Sequence, residues 1–203
     1  MVRKRIAVLP LIALLLFTTS NAQELPGKVR PADYLSDIRQ VDFKNFTYIR
    51  RADEKRANAI RLRNSNYTSA DGAQSFLMRI TYGDLTGDGI EEAVVLLRGQ
   101  NTRTSRTLDE VFIYTLEKGK VVLLTNFEGG KRGDYICSVN DPESNFKVEN
   151  QRLILDLAVA LEGDPQCDPT RYYTITYRWD SSRMIEVERS ALKPLPEHRR
   201  EVG

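Results

Sequence analysis

The chain has 203 residues, 41% of them hydrophobic and 29% charged, with 30 Lys and Arg against 28 Asp and Glu and one histidine. That is enough chain for one domain with a real apolar core, two small lobes being the alternative. The near-balanced charge gives no reason to expect nucleic acid, and His198, alone near the C-terminus, has no second histidine with which to build a His-based catalytic centre.

The first predicted element is a secretory signal over 1–22. Arg3, Lys4 and Arg5 precede an apolar run over 6–17 and a polar, small-residue exit over 18–22, the three regions of a cleavable leader. The run is short for a bilayer span, and no later run reaches about 18 apolar residues. Export without stable membrane insertion is expected, to the periplasm or the outside, with a retained anchor as the competing reading. Three of the 30 basic residues and none of the 28 acids lie in 1–22, so the mature chain carries 27 against 28, a net charge of −1. The basic clusters at Arg50-Arg51, Lys55-Arg56, Arg61, Arg63 and His198-Arg199-Arg200 read as solvated faces, the first being interrupted by Asp53 and Glu54.

Residues 23–35, with Pro26, Gly27 and Pro31, read as a flexible lead-in, 36–192 as the globular domain, and 193–203, with Pro194 and Pro196, as a flexible tail. Within the domain, 31–41 is compatible with a short helix. Residues 52–63 suit a solvent-facing helix, or else a strand and turn through Ile60, Leu62 and Asn64 to Tyr67. A strand over 75–82 alternates through Phe76, Met78, Ile80 and Tyr82, and the nearly continuous apolar run 93–97 suits an interior strand. A hairpin joins 111–116 to 120–125 across Glu117-Lys118-Gly119. The stretch 153–161 alternates through Leu153, Leu155, Leu157, Val159 and Leu161. A last hairpin joins 172–179 to 184–187 across Asp180-Ser181-Ser182-Arg183. The expected fold class is mainly β (α+β): a single antiparallel, hairpin-rich domain with short peripheral helices.

The most chemically informative stretch is 83–95, Gly-Asp-Leu-Thr-Gly-Asp-Gly-Ile-Glu-Glu-Ala-Val-Val. Oxygen donors recur at alternate positions: Asp84, Thr86, Asp88, the Ile90 carbonyl and Glu92. Calcium is a hard cation that takes six to eight oxygens, and glycines at 87 and 89 let the backbone curl around it. The loop is not an EF-hand, because the twelfth position from Asp84 is Val95 and the third is Thr86. The alternative is an ion-free turn in which Asp84 and Asp88 accept from backbone amides.

The run from Tyr82 to Gly89, followed by Glu91-Glu92-Ala93-Val94-Val95, resembles the calcium loop of the FG-GAP and VCBS repeat families. It is a single copy, so the resemblance does not imply a full propeller. Over 42–187, through Asp42-Phe43, the acidic loop, Phe112-Ile113-Tyr114, Gly129-Gly130-Lys131-Arg132-Gly133 and Tyr177-Arg178-Trp179, the chain is similar to bacterial exported proteins related to the LppP/LprE lipoproteins. That resemblance implies an envelope location and no established enzyme activity. The chain departs from the lipoprotein members in lacking the lipid-bearing cysteine.

Cys137 and Cys167 form an even pair in a chain bound for an oxidising compartment. Joined, they close a loop of about 31 residues, for which chain entropy gives about 3.7 kcal/mol; the alternative is a pair of buried thiols. Their spacing is unlike a thioredoxin-type motif. Tyr173, Tyr177 and Trp179 share one strand face, which either packs the core or forms a platform for a peptide or glycan. The two Asn-x-Thr triplets at 45–47 and 66–68 read as β-rich sequence in a bacterial protein. Glu91 and Glu92 are adjacent, and adjacent side chains on a strand point to opposite faces, so they do not make an acid–base pair by proximity in sequence. The expectation is a non-catalytic binding or structural protein of the bacterial envelope with a calcium-stabilised loop and an unknown protein, peptide or glycan partner. The alternative is a metal-assisted envelope hydrolase.

Overall fold

The computed structural model describes residues 35–49, 59–101, 106–129, 134–136, 144–159, 161, 164 and 169–196; the predicted signal over 1–22, the expected lead-in over 23–35 apart from its last residue, residues 197–203 and both cysteines lie outside this set. Two antiparallel sheets carry the fold. The first is a meander of β3 (Asn66–Thr68), β4 (Ala73–Gly83), β5 (Glu92–Asn101), β6 (Arg106–Glu117) and β7 (Lys120–Glu128), each paired with the next. In the second, β10 (Arg152–Val159), β11 (Arg171–Trp179) and β12 (Met184–Arg189) run in order. There β8 (Asp134–Ile136) and β9 (Phe146–Glu149) also pair with β10, and β13 (Lys193–Pro194) pairs with β11. A separate two-stranded ribbon joins β1 (Thr47–Ile49) to β2 (Ala59–Arg61). The mainly β, antiparallel, hairpin-rich class read from the sequence is the class observed.

The two sheets enclose one core. Val94, Leu96, Val111 and Ile113 of the first sheet, with Leu85, bury against Phe146, Leu153, Leu155, Leu157, Tyr173 and Ile175 of the second. Residues of opposite parity on β5 and β6, namely Ala93, Val95, Leu97, Phe112 and Tyr114, form a second core with Ile38, Phe43, Tyr48, Ile60 and Leu62. Strands β5 and β6 are therefore covered on both faces, which is the physical reason that 93–97 is apolar without alternation. Tyr48 donates to the Phe43 carbonyl at 2.7 Å, so its buried hydroxyl costs little.

Helix is confined to two single 3-10 turns among the described residues, Ile38–Gln40 and Phe43–Asn45, each capped by the carboxylate of the residue before it, Asp37 or Asp42. The helix expected over 31–41 is thus reduced to its last turn in the part described. Residues 51–58 lie outside the description, but 59–61 is strand, with Ile60 buried between exposed Ala59 and Arg61. Over 59–67 the strand-and-turn reading holds, because Ile60 and Leu62 are taken up by the second core. Strand β4 departs from simple alternation at a bulge between Leu77 and Arg79. An extra residue reverses which parity faces which side. Met78 therefore packs on the inter-sheet core, while Leu77, Ile80 and Tyr82 join the second one.

The β6–β7 hairpin closes through Lys118 and Gly119, both at positive φ, and β9–β10 closes likewise through Asn150 and Gln151. Two consecutive left-handed residues are the turn whose twist matches paired strands. No helix among the described residues is long and apolar enough to cross a membrane.

Candidate functional site

The acidic loop connects β4 to β5 at the end of the first sheet, where Gly83 faces Glu92 across the ladder. Leu85 anchors it, since this side chain is inserted into the inter-sheet core at 2% exposure. Gly87 and Gly89 adopt φ of +81° and +84°, which other residues reach only with strain. One further constraint comes from Gly83: a Cβ there would lie 2.6 Å from Cγ1 of Val148 on β9.

The carboxylates divide into three roles. Asp84 accepts from the amides of Gly87 at 2.6 Å and Gly89 at 3.1 Å, and Asp88 from that of Ile90 at 2.8 Å, so both curl the loop on itself. Glu92 is buried; its Oε2 accepts from the amides of Leu85 at 2.8 Å and Thr86 at 3.1 Å, and its Oε1 from the Thr115 hydroxyl at 3.0 Å. Burial pushes this carboxyl above its ordinary pKa, opposed by those three hydrogen bonds. Glu91, on the opposite side, takes two bonds from the Arg39 guanidinium at 2.7 and 2.9 Å, which hold its pKa below the ordinary range. Arg39 also lies 4.5 Å from the centre of the Tyr82 ring.

The donor set bears on calcium in two ways. Among the described residues no group of three or more acidic, histidine or cysteine side chains is gathered to hold a metal ion, and the Glu92 oxygens are engaged in holding the loop. The Thr86 hydroxyl oxygen, however, is shielded from solvent and has no hydrogen-bond partner among the described residues. A buried oxygen without a donor is what a cation would satisfy. That hydroxyl is the one feature of the loop that favours an ion; the Asp84 and Asp88 carboxylates accept from the loop's own amides and Glu92 is engaged inside.

The other predicted residues fall elsewhere. Tyr173 is buried in the inter-sheet core with the Arg189 guanidinium 4.5 Å from its ring centre, and Tyr177 packs on the same core 5.3 Å from Phe127. Trp179 is half-buried at the end of β11. The first two rings are thus engaged in packing. Cys137 and Cys167 lie outside the described residues. Sequence reasoning did not find Thr115 or Arg39. Thr115 interrupts the run of large side chains in β6, and that break is the one local signal; Arg39 reaches Glu91 across 52 residues and leaves none.

Comparison with protein-family models, with curated proteins and with solved structures finds no match.

Proposed function

We propose that this chain is a non-catalytic binding or structural protein exported to the bacterial envelope, in which the acidic loop takes calcium to lock the end of the first sheet. Asp84 and Asp88 supply the charge, Thr86 and the Ile90 carbonyl supply neutral oxygens, and water completes the shell. The observation that supports the calcium part of this reading is the shielded Thr86 hydroxyl, without a partner among the described residues, within a loop closed by Asp84 and Asp88. Leu85 joins the loop to the inter-sheet core, so ordering the loop is coupled to the stability of the whole sandwich.

Two carboxylates rather than the several of a tight site place the affinity near the extracellular range, a Kd of about 10⁻⁴ to 10⁻³ M. With a Kd of about 1 mM, about 10 mM calcium stabilises the native state by about 1.4 kcal/mol. Titration calorimetry and matched melts in calcium and EDTA test this. A calcium-dependent rise in Tm that Asp88→Asn abolishes is expected, whereas Asp180→Asn in the distant β11–β12 turn leaves it intact. No heat and no shift at 10 mM calcium, about ten times that Kd, refutes the site.

A further inference from the structure

A surface cleft of about 310 Å³ opens beside the acidic loop, between the first 3-10 turn and the end of β6. Its apolar lining is Ile38, which is buried, together with Ile90 and Leu116; Asp37 and Glu91 supply its charge, and Gly89 presents only backbone. Among the described residues no lysine or arginine lines it. The adjacent cation, Arg39, is held by two bonds to Glu91 and stacked on Tyr82, and it acts on Asp37 only through space, without a hydrogen bond to it from its guanidinium. Asp37 uses Oδ1 to cap the turn at Arg39 N, 2.8 Å away, and no hydrogen bond to its Oδ2 occurs among the described residues. Asp37 and Glu91 against Arg39 leave one net negative charge at the mouth. Ile90 is 45% exposed on a loop that is otherwise polar apart from Leu85, an apolar side chain left half in water at the cleft wall.

We propose that this cleft binds an alkylguanidinium or alkylammonium group, with its methylene stem on Ile90 and Leu116 and its cationic head at Asp37 and the outer edge of Glu91. Lysine and arginine side chains have this chemistry, an apolar stem ending in a charged head, as do free small amines. The volume, at the lower end of the range for ligand pockets, admits one such side chain with its neighbours and excludes a large polycyclic molecule. The proposal goes beyond the calcium reading and does not depend on it: the cleft uses the side chain of Ile90, the calcium seat its carbonyl.

The test is a heteronuclear NMR titration of the exported chain in EDTA, so that no cation contributes, with n-butylguanidinium, a capped arginine dipeptide and the neutral n-butylurea. Saturable amide shifts at Ser36, Gly89, Ile90 and Leu116 are expected with the cations, and the urea should bind at least about tenfold more weakly. Asp37→Asn keeps an oxygen to cap the turn, so it leaves the fold intact while lowering affinity about tenfold; Ile90→Ser lowers it by a similar factor through the stem. Binding of the dipeptide alone identifies a peptide side chain as the source, and binding of both a free or terminal cation. Equal binding of urea and guanidinium, unchanged affinity in Asp37→Asn, or no saturable shift with any cation overturns the proposal.

Discussion

Replacing Glu92 separates two contributions that the intact side chain combines. In Glu92→Ala, the amides of Leu85 and Thr86 and the Thr115 hydroxyl lose their common acceptor. One fully buried unsatisfied group costs about 1–3 kcal/mol. Leu85 is buried whereas Thr86 is only partly so, and water entering the vacated space relieves part of the loss, giving about 2–4 kcal/mol in all. Glu92→Gln keeps a carbonyl oxygen for the two amides, and Thr115 turns its hydroxyl to accept from the new NH₂. It also removes the desolvation of a buried carboxylate, so its cost is below about 1 kcal/mol. The pH dependence has a definite sign. Burial raises the folded pKa above the ordinary value of 4.5, so the native state holds this proton to higher pH than the unfolded chain. The associated stability is complete below that value and is lost as pH rises through the folded pKa. Urea unfolding from pH 4 to 8 should therefore show a falling component in the wild type that is missing from Glu92→Gln. A Glu92→Ala protein as stable as wild type, or a Glu92→Gln protein with the same pH profile, would refute the account of the loop.

Gly83→Ala should destabilise by about 1–3 kcal/mol, the usual cost of overpacking, because its Cβ meets Val148 Cγ1 at 2.6 Å and Cβ at 2.7 Å. Val148→Ala should recover part of that loss in the double variant, and additive costs in denaturant melts would show that the contact is not the cause. Nonreducing peptide mapping should recover Cys137 joined to Cys167, with reduction costing about 3.7 kcal/mol if the chain-entropy relation holds; two free thiols in the exported protein would remove this bridge.

Much of this architecture is written locally, in features a strand carries wherever it packs. Leu153, Leu155 and Leu157 alternate because one side of β10 meets the opposite sheet, and 93–97 does not alternate because β5 is covered on both sides. Lys118-Gly119 marks its hairpin through the backbone conformation that glycine permits. The spacing of 84–92 likewise sets out its oxygens before any contact is known. Tertiary structure alone decided which of those oxygens point where. Glu91 and Glu92 are chemically alike and adjacent, yet one meets Arg39 at the surface and the other is buried against the amides of Leu85 and Thr86 and the hydroxyl of Thr115. The bulge near Met78 exchanged the two sides of β4, and the ribbon carrying Ile60 became strand because the second core had room for its side chain. Glu91 answers to Arg39, 52 residues away, and Glu92 to Thr115, 23 residues away; for the bulge and the Ile60 ribbon burial rather than propensity decided, because the free energy of covering an apolar side chain exceeds the small differences among local backbone states.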